Sequence, residues 1–127
     1  MTTSLAFKAA QLLRGAREYL SNPDKWIKRN IQRGDKVCSI GAIQRAAGFL
    51  NGGWKLGDPQ ERAERHLAYG KAVDALSLEV GGNIPLFNDN PSTKHEDVLA
   101  AFDLAIEKSC KVVQQEAAKS GEKDSTS

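Results

Sequence analysis

Apolar residues recur at steps of three and four over residues 4–20, SLAFKAAQLLRGAREYL, where Leu5, Ala9, Leu12, Ala16 and Leu20 share one side of a helix. That period predicts an amphipathic helix with Ser4 as its N-cap. Pro23 ends it, because the residue before a proline is pushed away from helical angles. Residues 24–37, DKWIKRNIQRGDKV, keep no single period. Trp26, Lys28 and Asn30 alternate with Ile27, Arg29 and Ile31, which admits a short helix or an extended pair turning at Gly34-Asp35.

Three more helices follow from the same pattern. Ile40, Ile43, Ala47 and Leu50 mark one from about Ser39 to Leu50, stopped by NGG at 51–53. The next has the clearest start, with Asp58 as N-cap, Pro59 first and Glu61 placed to close a capping box. It runs to about Val80 with Ala63, Leu67, Gly70, Val73, Leu76 and Val80 inward, and GGN terminates it. IPLFND, 84–89, is predicted to be a short extended segment. Thr93 and Glu96 then restart a helix whose core face holds Val98, Leu99, Phe102, Ile106, Cys110 and Val113 and which fades near Ala118.

The fold expected is mainly α: one globular domain over 1–118 with about four helices, and room for a small two-stranded β element from residues 26–33 and 84–87. The apolar-poor segment 119–127 is expected to be a disordered polar tail.

Composition narrows the class without changing that picture. A chain of 127 residues, 40% hydrophobic and 27% charged, suits one globular domain. A net charge of +2 does not by itself imply nucleic acid, so any basic footprint is local. Lys8, Arg14 and Arg17 interrupt the first helix, which excludes a secretory signal core there, and no apolar run is long enough to span a bilayer. Two cysteines, Cys38 and Cys110, do not make a disulfide framework. A reduced, cytoplasmic compartment is expected, without membrane association.

Trp26 with the segment behind it, then VCSIGAIQRAAG, then IPLFNDNP leading into a helix, together resemble an uncharacterised family of small proteins from actinobacteria and bacteriophages. Its members carry a Cys-x-x-Gly-Ala motif opening a helix and a hydrophobic-aromatic-Asn-Asp motif before the last helix. Here those positions are Cys38, Gly41 and Ala42, then Phe87, Asn88 and Asp89, with Phe87 where tryptophan is usual. The resemblance covers roughly residues 5–107. It implies an architecture and a bacterial or phage setting, and no reaction.

Cys38 is the candidate nucleophile, since a helix N-terminus stabilises a thiolate. Such chemistry needs a base and a group to orient it, for which His95 and Asn88 are the candidates. Packing is the favoured alternative, because free cysteine is among the most buried residue types. Asn88 and Asp89 are expected to shape the turn before the last helix. His66 and His95 form no metal spacing, and the glycines form no phosphate loop, so no metal or cofactor is expected.

The best surface candidate is the basic stretch, where Lys25, Lys28, Arg29, Arg33 and Lys36 stand against Asp24 and Asp35 and interleave with Trp26. Trp54 and Lys55 of GGWKLGD are a second candidate surface. The function expected is a small protein that binds a protein partner of host or phage, in a phage or mobile-element setting. A cysteine-dependent enzyme and nucleic-acid binding through residues 25–36 are the alternatives.

Overall fold

The first and last long helices lie side by side. The computed structural model describes residues 4–55 and 57–126, and of Trp54 and residues 119–126 only the backbone. Helix α1 spans Leu5–Leu20, α2 Ser39–Ala46, α3 Pro59–Glu79, α4 Ile84–Asp89 and α5 His95–Thr126, with strands β1 (Gln32–Arg33) and β2 (Lys36–Val37) between α1 and α2. The architecture is mainly helical, a single domain with one small antiparallel sheet. Among the described residues no helix is long and apolar enough to cross a membrane.

Helix α1 is central because it packs against α2, α3 and α5. Ser4 caps it as predicted, its Oγ accepting from Phe7 N at 3.1 Å. Its buried face is Ala6, Ala9, Ala10, Leu13, Ala16 and Leu20. Four of those six are alanines, which lets three neighbours approach one backbone. The predicted stripe is right in period but centres on Leu13, and Leu12 only packs at its margin. Leu13, Leu20, Ile43, Leu76, Val98 and Phe102 fill the core, each no more than 1% exposed.

Alanine also decides the face of α3. Its start is as predicted, with Asp58 Oδ1 accepting from Glu61 N at 2.8 Å. Ala68, Ala72 and Leu76 are buried, whereas two residues expected inward, Ala63 and Leu67, are exposed, Leu67 at 60%. Close helix packing favours the small-residue face over the one with more leucine.

Four local expectations are corrected. Helix α2 stops at Ala46; Gly48, at φ 78°, turns the chain, and NGG lies within a 3-10 turn, Leu50–Lys55. Segment 84–89 is helical, since Asn83 Oδ1 accepts from Leu86 N at 2.9 Å and Pro85 occupies the first turn, where its missing N–H costs nothing. Residues 84–87 therefore pair with no strand. The sheet lies wholly within 32–37, turning at Gly34-Asp35 with Gly34 at φ 65°, the second of the two readings open for 24–37. Finally, α5 is capped at Lys94 and not at Thr93: Asp97 Oδ2 accepts from Lys94 N at 2.9 Å. The backbone of α5 continues past Ala118.

Candidate functional site

Between α1 and β1 the chain forms a strap, residues 26–31, laid across α2 and α4. Asn22 Oδ1 accepts from Asp24 N at 3.0 Å and shapes the 3-10 turn Pro23–Lys25 that delivers Trp26. Ile27 N donates to Val37 O at 3.0 Å, and Trp26 bridges Val37, so the strap runs beside β2.

The strap is fastened from the end of α4. Asn88 is 1% exposed. Its Oδ1 accepts from Trp26 Nε1 at 2.7 Å, Ser39 N at 3.0 Å and Ser39 Oγ at 2.6 Å, and its Nδ2 donates to Ile27 O at 3.1 Å. Asp89 Oδ1 accepts from Arg29 N at 2.7 Å, and Lys28 Nζ donates to Asn90 O at 2.6 Å. Arg29 holds φ 70°, a left-handed conformation that costs a non-glycine residue about 1 kcal/mol or more and persists where surroundings impose it. Asn88 and Asp89 thus act at long range, a correction to their reading as local turn formers.

The segment at residues 38–42 supplies the other wall. Cys38 is the N-cap of α2, its Sγ accepting from Gly41 N at 3.3 Å. Cys38 N donates to Ile31 O at 3.2 Å, and a Cβ on Gly41 would sit 2.1 Å from that same carbonyl. Gly41 is the position where strap and helix touch, and Ala42 behind it is buried. Burial raises the Cys38 thiol pKa above its ordinary value, opposed by the amides of Gly41 and Ile40 and reinforced by the Asp89 charge. The helix terminus therefore loses to desolvation, and the thiol stays protonated near neutral pH.

His95 is occupied elsewhere. Its Nε2 donates to Leu20 O, since a carbonyl can only accept, and its ring lies 6.0 Å from that of Trp26. Asn88 turns its oxygen to Trp26 and Ser39. No hydrogen bond among the described residues joins Cys38 to His95. His66 is exposed and stacks on Phe49 at 4.7 Å, and no group of three or more His, Cys, Asp or Glu among the described residues could hold a metal ion.

The basic stretch divides into tethered and outward cations. Lys25 pairs with Asp35, which raises the pKa of Lys25 and lowers that of Asp35. Lys28 lies 5.5 Å from the Trp26 ring centre. Arg29, Arg33 and Lys36 are exposed. Tyr19, which donates its hydroxyl proton to Asp35 O, is covered by the Arg45 guanidinium at 3.8 Å. Trp26 is half-buried, its indole N–H turned inward. Lys55 sits on the separate 3-10 turn at 50–55, exposed, and the Trp54 side chain lies outside the described residues.

Strap, α2 and α4 enclose a pit of about 190 Å³ lined by Ile31, Cys38, Ile40, Ile84, Pro85 and Asn88. Ser39, Ile31 and Tyr19 carry no signal in the sequence that marks them as site residues, and Arg45, on the outer side of the second helix with Gln44, makes no recognition helix there. Ser39 follows the flagged Cys38, and Ile31 lies two residues from Arg29 and Arg33, yet only the fold brings them to Asn88 and to the pit. A wider cavity of about 480 Å³ lies between α1, α2 and α3, where Lys8 and Glu64 pair across an apolar floor of Leu12, Ala47 and Ala68.

The model of a protein family, described as a family of unknown function (DUF6197), matches residues 6–108. No curated protein and no solved structure matches.

Proposed function

We propose that the protein, which belongs to the family of unknown function DUF6197, is a non-covalent binding module that engages a protein partner through the outward side of residues 26–36. The observation that carries this reading is the fastening of the strap. A buried asparagine and an aspartate hold Trp26, Ile27 and Arg29 in place, while Arg29, Ile31 and Arg33 remain exposed. Recognition residues are commonly presented in this way, on a loop that a rigid scaffold positions. Against covalent chemistry stand the burial of the Cys38 thiol, its engagement as a helix cap and the engagement of His95 with Leu20. A phage or mobile-element setting with a host protein complex as target follows from the distribution of the resembling family, by analogy alone, and a cytoplasmic compartment from the two sparse cysteines.

Photo-crosslinking tests the reading directly. A photoreactive side chain at position 31 should give a discrete protein adduct in a bacterial lysate, and Arg29→Glu should abolish it. The same group at Leu78, 81% exposed on α3, should give none. Equal adducts from both positions, or none from position 31, would overturn the proposal.

A further inference from the structure

The register of the hairpin fixes which residues share its faces. Gln32 stands opposite Val37 and Arg33 opposite Lys36. Continuing to the base, Ile31 faces Cys38, whose N–H donates to the Ile31 carbonyl. Val37 is 1% exposed and points into the core, so Ile31, Arg33, Lys36 and Cys38 lie on the other face.

That face sets two cations directly opposite each other, an arrangement that weakens a β pair. The ion pairs of the described residues include neither Arg33 nor Lys36; the adjacent Asp35 is hydrogen-bonded to Lys25, and the Lys36 charge acts on it more weakly. At the base, Ile31 is 51% exposed and walls the pit of about 190 Å³, which Arg29 and Asp89 also line, the Asp89 carboxylate accepting from Arg29 N and Asn88 Nδ2. Small-molecule sites usually measure roughly 300–1,000 Å³, so this pit suits a single side chain. An exposed apolar residue among arginines is also the composition of protein interfaces. Trp26 and Tyr19 each carry a cation over one ring face, Lys28 at 5.5 Å and Arg45 at 3.8 Å, which competes with a nucleic-acid base for stacking there.

We infer that this face docks an acidic segment of a partner protein carrying one apolar anchor. The anchor enters the pit beside Ile31, and carboxylates on either side meet Arg29 and the Arg33–Lys36 pair. The inference rests on the binding reading above and names the chemistry of its partner. One residue lies between Ile31 and Arg33, about 7 Å along an extended chain, so the carboxylate that meets Arg33 falls roughly two residues from the anchor.

Fluorescence anisotropy with the intact protein tests this, using three labelled peptides of one length. The first has a leucine with aspartates two residues away on each side, the second alanine for that leucine, and the third asparagines for those aspartates. The first is expected to bind, and the others to bind at least tenfold more weakly. Lys36→Glu should abolish binding while raising Tm, since it sets an opposite charge across from Arg33. Ile31→Ser should weaken binding with the fold intact, as read by circular dichroism. Equal binding of all three peptides, no binding of the first, or preference for a labelled DNA duplex would overturn the inference. A position-31 adduct sensitive to Arg29→Glu, together with no peptide binding, would sink the acidic partner and leave the binding reading standing. Loss of that adduct would remove both.

Discussion

The indole N–H of Trp26 and the side-chain oxygen of Asn88 meet at 2.7 Å, 62 residues apart in the chain. That oxygen also receives two hydrogen bonds from Ser39, so one atom joins the strap, the start of α2 and the end of α4. Replacing Asn88 by alanine orphans the indole and the Ser39 donors in a dry setting. At about 1–3 kcal/mol for a buried donor left unpaired, Asn88→Ala should cost about 3 kcal/mol. Urea unfolding would measure the loss, and a red shift of tryptophan emission would show the strap coming loose.

Two glycines should respond oppositely to the same substitution. At Gly41 a new Cβ would lie 2.1 Å from the Ile31 carbonyl, which the strap cannot withdraw without breaking its bond to Cys38 N. Gly41→Ala should destabilise by about 3 kcal/mol. An added Cβ at Gly70 inside α3 meets nothing within 4 Å, so Gly70→Ala should stabilise by about 0.5–1 kcal/mol. Thermal unfolding of both variants decides the pair.

Burial of Cys38 predicts slow alkylation. In a Cys110→Ala background, native protein should react with iodoacetamide near neutral pH more slowly than a model thiol, and urea should abolish the protection. A rate above the model thiol would revive the nucleophile.

The same burial has a pH signature. The native thiol pKa is raised above 9.0, so the folded state keeps a proton that the unfolded chain releases. Its contribution is complete below about pH 9 and is lost as pH rises through the native value. Cys38→Ser keeps a capping side chain, and its urea midpoint should fall less steeply than that of the wild type above that pH. Parallel profiles would count against a buried thiol.

The opposed cations at the hairpin tip predict a gain in stability when one of them is reversed. Lys36→Glu should add about 0.2–1 kcal/mol by turning a repulsive cross-strand pair into an attractive one. Salt should shrink the gain, because both side chains are exposed. A loss of stability at low salt would contradict the register.

Local signals were legible in the sequence, and distant ones were not. Ser4 and Asp58 cap helices because a cap needs only its next three residues, all visible in the string. Segment 84–89 looks extended because Pro85 and Phe87 sit in a short apolar run, although Asn83 two residues before Pro85 is a local cap signal. Leu67 was placed inside because periodicity counts hydrophobicity, while close helix packing rewards small volume. Asn88 was read as a turn former since asparagine usually bonds to its neighbours. Its partners here stand up to 62 residues away, and no spacing rule reaches that far.

The placement of α1 also bears on the order of assembly. Its apolar face is completed by α5, and Arg17 reaches Asp103 across 86 positions of chain. During synthesis α2 and α3 can cover part of α1 early, while the side that α5 covers stays open until α5 has left the ribosome. Loops of this span slow the search for the native state relative to bundles whose neighbouring helices close first. The side of α1 turned to α5 is therefore sheltered later than the sides that α2 and α3 cover.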